Sequence, residues 1–451
     1  MPNQNSLPVK MKLGYGVGEL GSVLFWSALA FLLLNFLTDE VGLSAGLAGV
    51  AIMLGKIWDA VTDPTVGFLS DRTRTRWGRR RPWFLFGSVP LGLAFFLMFT
   101  NPGLKEQTEI FIWASLAYIL LCTAYTVVNI PYISMVPEMT SDFDEKTSIN
   151  AYRSVFSITG TLIGAGSAIP IITLFDDRHT GFMVMGAIFG LIITISAIIP
   201  FFAVKEPVNP PIDKDTNIFK TNIEALKNKA YLAVLFPFAL NTAGITVITA
   251  TLIYYFKYIF NNEQMLTFAL VIMLLGSMIF IPIALLVSKK IGKKNTYIIG
   301  MTVIVISLFL LFFIGHLYDV YVIYLIMAVM GIGVSTHYVM PWSMLPDVVE
   351  YDYSINGVRR EGVFYGIWTF ATKVGAAFAG LTGGAILSYF GYIANQPQTA
   401  SSLLGIRLLI GPITAVFFII SILIIYFYPI DNRRYNDIQE KIRLMEEAKT
   451  I

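Results

Sequence analysis

Two aspartates one helical turn apart, Asp59 and Asp63, lie in an apolar stretch long enough to cross a bilayer. Placing one ionised carboxylate at the centre of a membrane helix costs at least ~2.5–3.5 kcal/mol on insertion scales. Lys56 precedes them with spacing i, i+3, i+7, which puts the three side chains on one stripe of an α-helix. A lysine beside two carboxylates leaves one net negative charge, which a sodium ion or a proton can neutralise. The pattern favours ion-coupled transport; the alternative is a buried ion pair with a spectator aspartate.

Polar side chains in other apolar segments are candidates to contact a solute. Glu19 and Arg153 lie near segment ends. The alternative interpretation of Glu19 is a solvated or salt-bridged gate residue, and that of Arg153 is a side chain that snorkels to the membrane boundary. Thr126 and Asn129 also suit hydrogen bonding between helices. Trp26 and Tyr125 suit stacking on a sugar face or core packing. The whole set is Glu19, Ser22, Trp26, Tyr125, Thr126, Asn129, Arg153, Thr369 and Lys373.

Lys373 is the most deeply placed cation, between Gly366 and Gly384 in an apolar segment. A cation at that depth needs an anionic partner. Asp59 or Asp63 on another helix is the natural candidate. The alternative is contact with the hydroxyls or the carboxylate of a substrate.

The composition predicts an all-α integral membrane protein. Hydrophobic residues make up 56% of the 451 and charged residues only 14%, whereas soluble domains carry about 25% charged residues. A spanning helix needs ~20 residues, and apolar windows predict twelve of them. They are expected at 12–38, 45–71, 81–100, 109–136, 151–175, 180–203, 231–258, 266–288, 295–315, 319–345, 361–391 and 403–428.

An internal repeat predicts two pseudo-symmetric six-helix bundles. The charged stretch 70–80 follows the second span and 288–294 follows the eighth, while Pro131 to Glu138 resembles Pro341 to Asp347 in the equivalent spans. We expect a first bundle at 1–203, a cytoplasmic linker at 204–230, a second bundle at 231–428 and a cytoplasmic tail at 429–451.

The placement of basic residues predicts the orientation. Lysines and arginines concentrate after the second span, after the eighth and in the central linker, so both termini are expected in the cytoplasm of a multi-pass protein of the inner (plasma) membrane. No cleavable signal is expected at the polar start, and the single cysteine, Cys122, excludes an intrachain disulfide. A short arginine-rich loop between spans does not favour nucleic-acid binding. The sequence shows no nucleophile–base pair, metal cluster or phosphate loop, which argues against an enzyme. It shows no sizeable soluble domain, which argues against a sensor.

Two motifs resemble a known family. The run Gly67-Phe-Leu-Ser-Asp-Arg72, followed by Gly78-Arg-Arg80, resembles the loop motif of the major facilitator superfamily. The longer run Trp58-Asp-Ala-Val-Thr-Asp-Pro-Thr-Val-Gly67 is similar to that of the glycoside–pentoside–hexuronide:cation symporters, whose best-known type is melibiose permease. The similarity covers essentially the whole chain. It implies a monomeric transporter in the major facilitator fold, without cofactors, that moves a sugar or glycoside with Na⁺ or H⁺ by alternating access.

The resemblance also implies residue roles. Asp59 and Asp63 would bind the cation, an alkali ion being the only metal expected, with Thr126 and Thr369 completing the site. Lys56 would match the preceding basic residue. Arg153 and Lys373 would line the solute site, and Lys373 would link it to the cation site. The loop residues expected to take part in gating are Asp71, Arg72, Arg79 and Arg80.

Three positions depart from the melibiose pattern and leave the solute open. The family's first-span acid aligns near Ser22-Val23, its fourth-span acid is Asn129, and a tryptophan is replaced by Ile133. The loss of two acids makes the site relatively more positive, so we hypothesise an anionic solute such as a hexuronide, or a hydroxylated solute held differently. The runner-up is transport of a lysolipid or another amphiphile, because eukaryotic lysolipid symporters share the Asp-Ala-x-x-Asp-Pro signature.

Overall fold

The computed structural model describes residues 7–140, 143–204, 225–357 and 361–450, and these residues form helices joined by short connections. Twelve described helices are long and apolar enough to cross a membrane, which confirms the predicted all-α membrane fold. The helices are α1 (Val9–Asn35, extended by a π-helical turn, Phe36–Glu40), α2 (Ala45–Arg72), α3 (Arg81–Met98), α4 (Gln107–Ile133), α5 (Val136–Met139), α6 (Phe143–Thr173), α7 (Arg178–Ala203), α8 (Lys229–Tyr258), α9 (Met265–Ile291), α10 (Lys293–Phe313), α11 (Val320–Asn356), α12 (Glu361–Tyr389), α13 (Ala400–Leu408, then a π-helical turn, Leu409–Ile413), α14 (Thr414–Ile425) and α15 (Asn432–Thr450).

Several helices are longer than their predicted spans. Helix α11 has 37 residues and continues to Asn356 despite two internal prolines, whereas the apolar window ends at residue 345. Helix α6 begins at Phe143 rather than at 151. Hydropathy detects only the part of a helix that suits hydrocarbon, so polar extensions beyond the bilayer are missed. Most of the predicted linker, residues 205–224, lies outside the described residues.

The chain divides into two compact units. Unit 1 comprises Met1–Ile212, Thr249–Thr267 and Gly380–Leu403. Unit 2 comprises Asp213–Ile248, Phe268–Ala379 and Leu404–Ile451. The last segments of α8 and α12 therefore belong to unit 1. The division at the linker into two six-helix bundles stays a prediction.

Small residues allow the helices of unit 1 to approach closely. Helix α1 packs against α6 and α7, α2 against α4, and α3 against α4 and α7. A Cβ atom added to Gly160 would lie 2.5 Å from the carbonyl oxygen of Leu20, and one added to Gly55 would lie 2.1 Å from a ring carbon of Tyr118. Gly55 on α2 thus lets Tyr118 of α4 pack against the helix backbone, one turn before Asp59. This contact fixes the face that α2 presents to α4.

Unit 2 has its own packed interior. Helix α10 packs against α11 and α14, and α15 packs on α11. Lys293 at the start of α10 forms an ion pair with Asp347 of α11, with 2.6 Å between Nζ and Oδ2. A cavity of about 650 Å³ lies where α8 begins and α11 ends, bordered by Lys229, Asp352 and Arg434. It contains none of the site residues predicted from the sequence.

Candidate functional site

The two aspartates and a threonine meet between α2 and α4. The hydroxyl oxygen of Thr126 lies 3.0 Å from Oδ1 of Asp59 and 3.1 Å from Oδ1 of Asp63. Asp59 and Thr126 are fully buried, and Asp63 is half-buried. A hydroxyl has one hydrogen and can donate to only one of the two carboxylates at a time. The carboxylate that does not receive this hydrogen can then bind a proton or a cation, since hard cations take oxygen ligands.

The geometry follows from the sequence spacing. Asp59 and Asp63 are four residues apart on α2, so both side chains face the same neighbouring helix. The hydroxyl of Thr62, between them, lies within hydrogen-bonding distance of the carbonyl oxygens of Trp58 and Asp59 in α2. The Thr62 hydroxyl therefore bonds within its own helix. Of the two threonine hydroxyls, the one on α4 contacts the carboxylates.

Lys56 contacts an aromatic ring of α1. Its Nζ atom lies 3.2 Å from the centroid of the Trp26 ring, a cation–π contact. Trp26 in turn packs edge-on against Tyr125, with 5.1 Å between ring centroids. Two residues singled out in the sequence, the cation Lys56 and the stacking candidate Trp26, are therefore in contact. This contact joins α1 and α2 beside the acidic pair.

A second polar group joins α1 and α4. The Ser22 hydroxyl lies 2.6 Å from the Tyr125 hydroxyl and donates to Oδ1 of Asn129 at 3.1 Å. A cavity of about 20 Å³ borders these three side chains, which is room for about one water molecule. The group offers neutral donors and acceptors of the kind that bind sugar hydroxyls.

Glu19 and Arg153 form an ion pair between α1 and α6. Both Nε and Nη2 of Arg153 donate to Oε2 of Glu19, at 2.9 and 2.7 Å. Each side chain is 19% exposed. Nη1 of Arg153 also donates to Asn150. Glu19 is therefore salt-bridged, and much of the charge of Arg153 is neutralised by this partner. The roles of both residues at a solute site stay predictions.

The two predicted residues of α12, Thr369 and Lys373, lie in unit 2. The Thr369 hydroxyl donates to the carbonyl oxygen of Tyr365 in its own helix. Lys373 is half-buried. The nearby Trp368 is fully buried and stacks on Phe238, with 4.4 Å between ring centroids. Its ring is therefore part of a packed core, and the roles of Thr369 and Lys373 stay predictions.

The loop after α2 is folded on itself, and the first residue of α3, directly after it, is bonded to α7. The Thr75 hydroxyl donates to the carbonyl oxygen of Gly78, whose φ is +104°. Arg72 packs over the ring of Phe68, Arg79 is half-buried and Arg80 is buried. Arg81 donates from Nη2 to the carbonyl oxygen of Phe201 at 2.6 Å. The side chain of Asp71, another predicted loop residue, lies outside the described part of the chain.

One polar cluster was not predicted. The carboxylate of Asp39, in the π-helical turn after α1, accepts hydrogen bonds from Lys257, Tyr258 and Tyr392. These partners are 218 or more residues away in sequence. Asp39 follows a long apolar run and resembles an ordinary loop residue. Its buried position after a spanning helix is visible only once the distant partners are placed.

The family model for MFS/sugar transport proteins matches residues 14–432. This chain belongs to that family. The prediction of a major facilitator transporter, rather than an enzyme, is therefore confirmed. The uncharacterized symporter sll1374 of Synechocystis sp. is 30% identical to this family member, over 98% of this chain and 97% of its own. The isoprimeverose transporter of Lactiplantibacillus pentosus is 29% identical, over 95% and 90%. The glucuronide carrier protein homolog of Escherichia coli is 29% identical, over 95% and 94%.

Solved structures show the same MFS fold. The nucleoside transporter NupG aligns with a TM-score of 0.67 at 12% identity, over 93% of this chain and 100% of that one. A bacterial homolog of the lysosomal transporter Spinster, inward-facing and unoccupied, aligns with a TM-score of 0.68 at 11% identity, over 96% and 99%. At these identities the similarity concerns the fold alone.

The position of Thr126 in this MFS transporter leads to a first prediction. Thr126→Val keeps the shape of the side chain and removes the hydroxyl shared by the two carboxylates. We expect the cation concentration that gives half-maximal solute uptake to rise roughly tenfold to a hundredfold, because hydrogen bonds to charged groups contribute about 1.5–3 kcal/mol.

Thr123→Val is the matched control. Thr123 lies one turn earlier on α4, and its hydroxyl contacts Trp58 and the carbonyl oxygen of Ile119 instead. Its cation dependence should stay near that of the parent protein. Equal cation dependence in both valine variants would remove Thr126 from the cation site.

Proposed function

We propose that this MFS transporter moves a sugar or glycoside together with Na⁺ or H⁺, and that Asp59 and Asp63 bind the coupling ion. The observation that carries the proposal is the single hydroxyl of Thr126 within hydrogen-bonding distance of both carboxylates. Two carboxylates held this close repel each other unless a positive charge lies between them. A cation bound there supplies that charge.

The coupling follows from the neighbouring contacts. Tyr125, Thr126 and Asn129 lie within five consecutive residues of α4, so the cation site and the neutral polar group share one helix. Lys56, one turn before Asp59, packs on Trp26, which itself contacts Tyr125. An ion that draws Asp59 and Asp63 together therefore acts on the same contacts that shape the solute site. By thermodynamic linkage, the solute must strengthen cation binding by the same factor.

The solute class is proposed from the charges of the site. The melibiose pattern has acids near Ser22-Val23 and at Asn129, where this chain has none. Ser22 and Asn129 join Tyr125 in a hydrogen-bonding group suited to sugar hydroxyls. Arg153 and Lys373 keep the roles at the solute site that the family resemblance implies, and Arg153 is paired with Glu19. Among the relatives, one is named a glucuronide carrier protein homolog and another an isoprimeverose transporter. A hexuronide is therefore the first anionic solute to test, and a neutral pentose-containing glycoside the first alternative.

We propose that the transporter lies in the plasma membrane as a monomer with both termini in the cytoplasm. The basic residues after α2 and between α9 and α10 support this orientation, because lysine and arginine concentrate in short cytoplasmic loops. Alternating access then exposes the site to one side of the membrane at a time.

The test of the function is uptake by proteoliposomes under imposed sodium or proton gradients, with a panel of glycosides, pentosides and uronides. A gradient of one cation should drive uphill accumulation of at least one sugar. Uptake of neutral galactosides alone, without competition by glucuronides, would contradict the anionic version while leaving symport intact. Accumulation of lysolipids but of no sugar in the panel would contradict the proposed solute class.

A second prediction concerns Asn129, which stands where the melibiose pattern has an acid. Asn129→Asp adds a negative charge beside Ser22 without changing the size of the side chain. If the solute is a uronide, its half-saturating concentration should rise at least about tenfold, because like charges in a poorly solvated site repel by more than about 1.4 kcal/mol. Binding of neutral sugars should be less affected.

The control for Asn129→Asp is Asn262→Asp. Asn262 is exposed, and its Oδ1 accepts a hydrogen bond from the backbone of Gln264, a contact that aspartate can also make. Both variants add one negative charge, but only the first adds it at the proposed solute site. A uronide affinity that falls equally in the two variants would assign the effect to net charge rather than to the site.

A further inference from the structure

A buried carboxylate in unit 1 collects several donors from distant parts of the chain. Asp39 is 5% exposed. It accepts hydrogen bonds from the hydroxyls of Tyr392 at 2.6 Å, Thr38 at 2.7 Å and Tyr258 at 2.8 Å. The ammonium group of Lys257 forms an ion pair with it. Hydrogen bonds to a desolvated carboxylate are among the strongest in proteins, so this group holds its members firmly.

Neighbouring residues extend the cluster and fix its partners. Asn395 donates from its side-chain amide to the carbonyl oxygen of Asp39, and its Oδ1 accepts a hydrogen bond from Lys257 at 2.8 Å. Its backbone N–H donates to the Tyr258 hydroxyl at 3.0 Å, and its φ is +57°. Burial raises the pKa of the Tyr392 phenol well above its ordinary value of 10, so this hydroxyl stays protonated and remains a donor. The cluster is thus built from both side-chain and backbone contacts.

A second ionic group begins at Glu40, the residue after Asp39. Arg178, at the start of α7, donates from Nε to Oε1 of Glu40 at 2.8 Å. The same guanidinium contacts Glu263, just before α9. Glu40 follows Asp39 directly in the chain. Asp39 therefore binds residues at the C-terminal end of α8 and after α12. Glu40 binds Arg178 of α7, which in turn contacts Glu263 between α8 and α9.

The sequence position of these partners gives the cluster a consequence for transport. Helix α1 belongs to the predicted N-terminal bundle, whereas α8 and α12 belong to the predicted C-terminal bundle. The contacts to Asp39 lie at or just after the C-terminal ends of α1, α8 and α12. These helices are the first, seventh and eleventh membrane spans, and an odd-numbered span ends on the side of the membrane opposite the N-terminus. With cytoplasmic termini, this end is extracellular. Any movement that opens the transporter to the outside must separate these helix ends and break the bonds to Asp39.

We propose that Asp39 is the central residue of an outer-gate cluster, comprising Thr38, Asp39, Lys257, Tyr258, Tyr392 and Asn395, that holds the extracellular end closed. In this function the carboxylate acts by positioning the ends of α8 and α12 against α1, and it does not contact the solute. Release of the cluster accompanies the change to the outward-open state. The proposal goes beyond symport itself and concerns the equilibrium between the two access states.

The cluster can be tested by chemical access to a buried position beneath it. Asn35 lies one turn before Asp39 and is fully buried. In a Cys122→Ala background, Asn35→Cys introduces a single thiol that a membrane-impermeant maleimide can reach from outside only when the gate opens. Adding Asp39→Asn should raise the alkylation rate in right-side-out vesicles about tenfold to a hundredfold, the range expected when a charge-assisted hydrogen-bond group is lost. Tyr392→Phe should raise it by a smaller factor.

Asp177→Asn is the matched control, because Asp177 is an acid before α7 whose carboxylate caps its own helix by accepting hydrogen bonds from the backbone of His179 and Thr180. Its alkylation rate should equal that of the parent. Unchanged rates in the Asp39→Asn and Tyr392→Phe variants, with a reactive thiol after detergent denaturation, would overturn the proposal. If Asp39→Asn does not insert, Tyr392→Phe alone decides. Alkylation does not depend on transport, so failure here and failure of sugar symport are separate results.

Discussion

Replacing Asp59 or Asp63 with asparagine is expected to abolish cation-driven accumulation of solute while leaving the protein inserted in the membrane. Asparagine keeps the size of the side chain and can still accept a hydrogen bond from Thr126, but it removes one of the two negative charges. Breaking a buried charge interaction by removing one partner costs about 3–5 kcal/mol, which corresponds to a loss of roughly a hundredfold or more in cation affinity. The measurement is uphill uptake by proteoliposomes carrying each variant.

The control must separate loss of coupling from loss of folding. Solute exchange across vesicles loaded with equal concentrations needs the solute site but no ion gradient, so the asparagine variants should retain part of it. Glu109→Gln makes the same chemical change at an exposed position of α4 and should accumulate solute like the parent. Retained uphill uptake in both aspartate variants would remove the cation-site assignment.

The second large effect is expected at the pair formed by Glu19 and Arg153. Changing either residue alone to glutamine leaves a partly buried charge without the partner to which it is joined by two hydrogen bonds. Each single change should therefore lower the free energy of unfolding by about 1.5–3 kcal/mol and strongly reduce solute uptake. The double change removes both charges and should recover part of the stability. The measurements are thermal unfolding in detergent and initial uptake rates for the three variants.

The double variant distinguishes two functions of the pair. If the ion pair only joins α1 to α6, uptake should recover together with stability. If either side chain contacts the solute, uptake should stay low although the protein is stable again. Arg443→Gln is the control, because its pair with Glu440 on α15 is exposed at 63% and 56% and exposed pairs contribute little. A loss of stability there as large as at Arg153 would contradict the argument from burial.

The fold could be predicted from the sequence because its signals are local. Apolar windows of membrane length can be recognised without knowing which helices pack together, and the structure contains all twelve predicted spans. The ends of α6 and α11 were missed since their polar turns leave the hydrocarbon, where hydropathy no longer distinguishes a helix from a loop. Helix α11 continues past Pro341 and Pro346, which local propensity disfavours.

The candidate site was predictable where its members lie close in sequence. The spacing of Asp59 and Asp63 fixes a common helix face, and the family resemblance supplied Thr126 from another helix. Glu19 and Arg153 were both identified as candidates, but nothing in the sequence paired them, because they are 134 positions apart. The outer-gate cluster was missed for the same reason. Pairing at such separations depends on how helices pack, which periodicity does not encode.

The most direct test is whether the solute carries the ion with it. Sugar added to de-energised proteoliposomes should draw in radiolabelled sodium, or raise the external pH, in proportion to the sugar taken up. The account predicts this ion flux in the parent protein and its absence when Asp59 and Asp63 are both asparagine. Sugar entry without any ion flux in the parent protein, or an undiminished flux in the double variant, would contradict it.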